Sequence, residues 1–367
     1  MTQADPLYFP RSELAERLLS SLKDGILHAI TLFAPRRMGK TQFLLNDVKP
    51  KAEKLGFNVF YFSFMDRTSN ELGNVFTREL IHFLDEVDGK TNNLFDKLKA
   101  IDLMGVGVEL QDKTQTKLDE LSLVQIINAI TESSNKPVLM LLDEVQELAR
   151  VSHTVGLIRS LRTGLDINQQ KIKVIFTGSS TNGLRAMFND NKAPFFHFAH
   201  PLDFPNLGKD FTDFLADIYH SRTGQEIDKR QFYELFERFN FTPLYMRSIA
   251  QDMIINPNLS LKQASEYRLA QMSELGDHMK IWSELSSIEQ EILKSVVNGE
   301  NALYSKEKRS YFAKALGVED ISSSTIQGKV RKLERKELIT RNTNGTIKIN
   351  SPYFQTWIKE NSQANIK

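Results

Sequence analysis

The segment Ala34-Pro35-Arg36-Arg37-Met38-Gly39-Lys40-Thr41 places a glycine, a lysine and a hydroxyl in direct succession, after an apolar run and at the start of an expected helix. That order suits capture of a polyphosphate. Backbone N–H groups at a helix start point outward and carry partial positive charge, so they bind phosphate oxygens. Gly39 lets the chain curl close to the anion, Lys40 reaches the β and γ phosphates, and the Thr41 hydroxyl is expected on Mg²⁺. Pro35, Arg36, Arg37, Met38 and Gln42 complete the candidate cradle. Ala34 stands where such loops usually begin with glycine, which is permitted if the backbone there keeps negative φ.

A second apolar run, Val138 to Leu142, ends in Asp143-Glu144. Two acids at the end of a buried strand are costly unless something needs them. Opposite a phosphate cradle the need is plain: Asp143 for the magnesium shell and Glu144 to polarise the attacking water. Phosphoryl transfer asks for positioning and charge neutralisation, and these residues supply both. A further run ends Phe176-Thr177-Gly178-Ser179-Ser180. It is expected beside the acidic strand, with Thr177 or Ser179 facing the γ phosphate; Ser179 is preferred as the catalytic contact.

These residues need a scaffold, and the pattern of the chain supplies one. Strands are predicted at His28 to Phe33, Asn58 to Phe64, Pro137 to Leu142 and Ile172 to Thr177, each short, apolar and rich in aromatic or β-branched residues. They alternate with amphipathic helices, which predicts an α/β core with a parallel sheet between helical layers. A small extra strand or hairpin is expected within Ile101 to Gln111, around MGVGVEL. From Gly208 onward the strands stop. Helices are predicted at Asp210 to Tyr219, Lys229 to Phe239, Pro243 to Ile255 and Leu261 to Leu275.

Near Trp282 a third module begins. Its predicted helices start at Ser286-Ser287, with Glu289 and Gln290 following, cover Lys306 to Leu316 before Gly317, and run from the serine run to Lys336, with Ser324 and Gln327 at capping-box spacing. Leu338 to Thr340, Asn344-Gly345 and Thr346 to Ile349 then read as a hairpin. Three helices and a hairpin form the winged variant of helix-turn-helix. The expected domains are therefore 1–206, 207–281 and 282–367.

Charge points to the same end of the chain. The whole carries a formal +1, but Lys306 to Lys348 holds eleven Lys or Arg against five Asp or Glu. The third module is the basic one. Its last helix carries Lys329, Arg331, Lys332, Arg335 and Lys336, with Ser323 and Thr325 at its start, and Arg341 and Lys348 flank the wing. These residues are candidates for duplex DNA, with the helix in the major groove and the wing along the backbone.

Composition excludes several classes. There is no cysteine, hence no disulfide, thiol catalysis or zinc-thiolate site. No apolar run approaches the ~20 residues of a membrane span, and the N-terminus lacks the blocks of a secretory signal. A cytoplasmic location is the expectation.

Taken together, FPRSEL, APRRMGKTQFLL, VLMLLDEVQEL, IFTGSS and FTPLYMRSIA resemble the AAA-plus-related P-loop ATPases of the archaeal-ATPase type, close to the STAND and origin-recognition ATPases. The resemblance runs from about Phe9 to Trp357. It implies a three-layer P-loop NTPase core that binds ATP with Mg²⁺, followed by a helical lid and a winged helix. By this resemblance Arg11 lies near the adenine side, Gln146 senses the γ phosphate, and Arg247 on the helix after Thr242-Pro243-Leu244-Tyr245 reaches over the phosphates. The family's arginine finger has no clear equivalent. His197 stands in the matching stretch, and Arg159 and Arg162 are the remaining candidates, with Arg162 taken as the finger. Two functions follow: an ATPase associated with duplex DNA, or a STAND-like switch acting through a partner protein. A homo-oligomer is compatible with either.

Overall fold

A computed structural model of the chain describes residues 5–65, 72–88, 122–150, 154–178, 181–188, 193–274, 278–342 and 345–364. The expected extra strand within Ile101 to Gln111, and the residues Ser179, Ser180 and Asn344, lie outside them. Two compact units are distinguished: Pro10–Ala34 with Lys40–Leu202, and the described residues of Met1–Phe9, Pro35–Gly39 and Asp203–Lys367.

The first unit is built on a sheet ordered β2-β3-β4-β1-β5, formed by β1 (Ala29–Phe33), β2 (Asn58–Ser63), β3 (Val138–Asp143), β4 (Ile172–Gly178) and β5 (His200–Asp203). The pairs β2–β3, β3–β4 and β4–β1 are parallel. This is the α/β P-loop arrangement that the sequence predicts, with β4 lying between the phosphate-loop strand and the acidic strand. Every residue of β1, β3 and β4 is buried, so these strands read as largely apolar runs rather than alternating ones, with Thr31 and Lys173 the interior exceptions. β5 had no counterpart among the predicted strands. Its sequence, HPLD, is partly exposed and carries neither alternation nor an apolar run.

Helices cover both faces. α1 is Ser12–Lys23; α2 (Lys40–Phe43) passes through a π segment, Leu44–Val48, into α3 (Lys49–Lys54). These pack on one another, and α3 on β2. The opposite layer contains α4 (Leu72–Val87), α5 (Leu123–Ser133) and α7 (Val155–Ile167), while α6 (Glu147–Arg150) and α8 (Thr181–Phe188) follow β3 and β4. Phe76, Leu80, Ile126, Ile130, Leu161 and Leu165 from that layer share one core with Phe60, Met140, Leu142, Val174 and Phe176. Side chains alternate along a strand, so Ile30, Leu32, Leu139, Leu141 and Ile175, also buried, face the α1–α3 side. A Ser122–Gln125 capping box starts α5, which fixes where that layer begins.

In the second unit, α9 (Lys209–Thr223), α10 (Lys229–Arg238), α11 (Pro243–Ile255) and α12 (Leu261–Glu274) bury Phe211, Leu215, Phe232, Phe236, Tyr245 and Ile249 in a common core. Local chemistry sets their ends: Asp228 accepts the N–H groups of Arg230 and Gln231 at the start of α10, and Pro243 opens α11. A separate core, including Ile292, Phe312, Val330, Leu333, Ile339 and Phe354, belongs to α13 (His278–Ser283), α14 (Ser287–Val297), α15 (Lys306–Leu316), α16 (Ser323–Arg335), β6 (Ile339–Arg341), β7 (Ile347–Ile349) and α17 (Pro352–Ala364). β6 and β7 are antiparallel, as the hairpin signal predicts. Gly317, at φ 67°, closes α15. The cap of α16 differs from expectation: Ser322, in extended backbone, accepts the N–H of Thr325, so Ser323 and Ser324 are already helical. α13 and α17 have no counterpart among the predicted helices.

Candidate functional site

The phosphate loop leaves β1 at Phe33 and enters α2 at Lys40. Among described non-glycine residues, positive φ occurs at Arg37, Glu144, His197, Asn240, Phe241 and Glu337. Ala34 therefore keeps negative φ, the condition under which alanine replaces the usual glycine. Gly39 takes φ 87°, a conformation that costs an L-residue about 1–2 kcal/mol. Left-handed turns at Arg37 and Gly39 gather successive main-chain amides into a concave nest, a shape suited to anions.

Lys40 is buried, and its Nζ donates to the Ala34 carbonyl at 2.9 Å. The ammonium thus turns back to the carbonyl that follows the end of β1. Thr41 Oγ1 donates to Asp143 Oδ2 at 2.6 Å. Asp143 is 1% exposed, and a carboxylate that deep needs several donors. Thr177 Oγ1 supplies one to Oδ1, and Tyr61 Oη approaches Oδ2 at 3.4 Å. Burial, and then the charge of Asp143, push the Tyr61 hydroxyl up to about 12, so it stays protonated near neutrality. Both Thr177 and Tyr61 are placed by register: Thr177 precedes Gly178, which pairs with Phe33, and Ser63, two residues beyond Tyr61, pairs with Asp143.

Of the two small polar candidates at the end of β4, the described one, Thr177, points at Asp143; Ser179 lies outside the described residues. Tyr61 was missed by sequence reasoning, and its only signal was a hydroxyl in the β-strand neighbouring the acidic one. Glu144 follows Asp143 at φ 56°, and its Oε2 accepts Gln146 Nε2.

The other predicted cradle residues have the following partners. The backbone N–H of Arg11 donates to Asp47 Oδ2 at 2.9 Å. Arg36 is exposed, and Met38 is buried. Asn46 Nδ2 donates to Gln42 Oε1. Within the second unit, Arg37 Nη1 donates to Tyr245 Oη on α11 at 2.5 Å, while Pro35 is half-buried. Arg247, expected to reach over the phosphates, forms an ion pair with Asp5 in that unit.

Arg162, the expected finger, has partners within its own chain. It pairs with Asp166 one turn on, donates Nε to the Pro194 carbonyl at 3.2 Å and lies over the Phe198 ring at 4.1 Å. Spacing on a helix shows which face a residue occupies but not what it meets there.

The basic helix α16 divides its charges. Ser323 and Thr325 sit in its first turn, and Thr325, Arg331 and Arg335 are exposed. Lys329 and Lys332 turn to Glu289 of α14, with Nζ to Oε1 distances of 3.4 and 2.8 Å. Arg341 donates to Tyr304 Oη and pairs with Glu334. Glu289 is fully buried and also accepts the Ser286 N–H. Burial alone would raise its carboxyl, but hydrogen bonds from Lys332 and Ser286 and the charge of Lys329 outweigh it and hold it at about 2.

A depressed carboxyl contributes its full stability above its ordinary value of 4.5 and loses it as pH falls through about 2. Glu289→Gln is therefore expected to cost about 2 kcal/mol at pH 7, with the gap to wild type closing below pH 4.5. Both tryptophans of the chain, Trp282 and Trp357, flank this core, so urea unfolding followed by tryptophan fluorescence reads it selectively. A gap independent of pH would remove the ion pair as its cause.

Among the described residues no helix is long and apolar enough to cross a membrane, and no cluster of three His, Cys, Asp or Glu is placed to hold a metal. The fold is similar to that of solved structures over nearly their whole length. A Walker-type ATPase of Pyrococcus abyssi matches with a TM-score of 0.63 at 19% identity, covering 96% of each chain. The ORC2 protein of Aeropyrum pernix, solved with ADPNP and ADP, matches with a TM-score of 0.52 at 14% identity, covering 100% of this chain and 99% of that one. At such identities the likeness concerns the fold. No curated protein sequence matches. The family model describing an ATPase domain predominantly from Archaea matches residues 8–237, which span the phosphate loop, the acidic strand end and most of the first helices of the second unit. On that match the chain is an ATPase, and it belongs to the family of ATPase domains found predominantly in Archaea.

Proposed function

We propose that the chain hydrolyses Mg·ATP on the loop Pro35 to Thr41 and couples this to duplex DNA through a winged helix at 282–367, with 1–206 as the catalytic core and 207–281 as a helical lid. The observation that carries the catalytic part is the hydroxyl-lined carboxylate of Asp143, 2.6 Å from Thr41 Oγ1. Both are hard oxygen donors, and Mg²⁺ favours one or two carboxylates plus substrate phosphates over an all-protein cage. Thr41 and Asp143 would hold the ion, which supplies charge neutralisation at the phosphates when bound. Lys40 and the loop amides bind and orient the polyphosphate, and Glu144 takes the proton of the attacking water.

DNA association is supported by α16. Its buried side is anchored through Glu289, which leaves Ser324, Thr325, Gln327, Arg331 and Arg335 on the exposed side, an arrangement a groove-reading helix needs. Arg331→Ala with Arg335→Ala is expected to weaken duplex binding about tenfold or more at 100 mM salt and to flatten its salt dependence by about two counterions. Fluorescence anisotropy on labelled duplex at several salt concentrations tests this. Lys329→Ala is expected to act chiefly on stability. Absence of duplex binding at low salt, together with tightly retained ADP, would instead favour the nucleotide switch that works through a partner protein.

A further inference from the structure

We infer that Gln146 is a positioning residue for hydrolysis: it holds the Glu144 carboxylate in place, and it does so because position 178 has no side chain. The inference rests on the reading of Glu144 as the general base. Gln146 is 1% exposed. Its Nε2 donates to Glu144 Oε2 and, at 3.3 Å, to Glu147 Oε1. One buried amide thus ties down two acids of the turn that leaves β3. That turn is itself pinned to β4, because the Val145 N–H donates to the Thr177 carbonyl at 3.0 Å.

The other end of the amide sets its direction. Among the described residues Gln146 Oε1 is buried with no hydrogen-bond partner, and it faces Gly178. A Cβ at position 178 would stand 2.0 Å from that oxygen and 2.7 Å from Leu184 Cδ1. Gly178 does not take positive φ, so the backbone does not demand glycine there; the space does. The Gln146 side chain lies in a slot closed by the end of β4 and by Leu184 of α8, with its donors turned to the acids. A buried oxygen left without a donor is an unfavourable arrangement, and it is tolerated here where the opposite end fixes a charged group.

Gln146→Met keeps length and bulk and removes the donors. Expected are a 10- to 50-fold fall in kcat, with KM for ATP and the Kd of a fluorescent ATP analogue unchanged within twofold. In a Glu144→Gln background, under single-turnover conditions, the same substitution is expected to have almost no further effect, since the group it positions is no longer a base. Gly178→Ala should reproduce the kcat loss by displacing Oε1, and should not add to Gln146→Met. Unchanged kcat in Gln146→Met overturns the inference. So does an equal loss in the Glu144→Gln background, or a parallel loss of nucleotide affinity, each of which marks a merely structural residue. Failure of the underlying reading shows separately, as full turnover in the Glu144→Gln single variant.

Discussion

Lys40→Ala leaves a folded protein that no longer binds ATP: nucleotide affinity falls at least 100-fold, and the rise in melting temperature that ATP gives the wild type disappears. Two effects compete in the free protein. Lys40 is 5% exposed and has a hydrogen bond to the Ala34 carbonyl. A hydrogen bond from a charged donor is worth about 1.5–3 kcal/mol, whereas taking an ammonium out of water costs several kcal/mol. The second term is the larger, so removal of the ammonium does not destabilise the free chain. With triphosphate bound the balance reverses, because phosphate charge compensates the buried cation. A ligand at a hundredfold excess over Kd stabilises its host by about 2.7 kcal/mol, several degrees in a domain of this size. Differential scanning fluorimetry with and without Mg·ATP reads both halves. A variant that melts well below wild type without nucleotide, or that still responds to ATP, contradicts the assignment.

How much of this was legible in the sequence depends on whether a feature is a pattern or a direction. The mostly apolar runs of β1, β3 and β4 show as patterns, because strands buried on both faces have few polar positions, here Thr31, Lys173 and the strand-end Asp143 and Thr177. The helix start at Ser286-Ser287, Gly317 and the hairpin are patterns too, since local backbone chemistry decides them. Directions are different. Lys329 and Lys332 look like any basic pair on a helix, and only the fold brings them to a buried glutamate on α14. Arg162 has the spacing of a presented arginine, and only the fold shows that it meets Asp166 and the Pro194 carbonyl. Tyr61 and Thr177 converge on Asp143 because β2 and β4 flank β3, and strand order is not written in any one strand. Gln146 was visible in the motif, yet its role depends on which way one amide faces, and that is decided by missing atoms at Gly178.

Glu144→Gln is expected to bind ATP as tightly as wild type, or somewhat more tightly, and to lose turnover by about 10²- to 10⁴-fold, the range for general acid–base catalysis. The two acids at the end of β3 divide the work by their surroundings. Asp143 is 1% exposed and accepts hydroxyls on both oxygens, from Thr177 on one and from Thr41 and Tyr61 on the other. These hydroxyls hold the carboxylate in place as a charge, which suits a ligand beside a cation. Glu144 is only partly buried and stands on left-handed backbone, outside the strand ladder. Glutamine has the same length and tolerates that backbone no worse, so the turn should keep its shape. What disappears is one negative charge near the phosphates and the one group placed to take a proton. Loss of the charge cannot weaken binding of a polyanion, so affinity is a control within the same variant. A malachite-green assay for phosphate release, run beside equilibrium binding of a fluorescent ATP analogue, separates the two. Turnover within a factor of three of wild type would remove Glu144 from the chemistry. Parallel loss of binding and turnover would assign it to the cation site with Asp143, and Asp143→Asn would then be expected to match it rather than to exceed it.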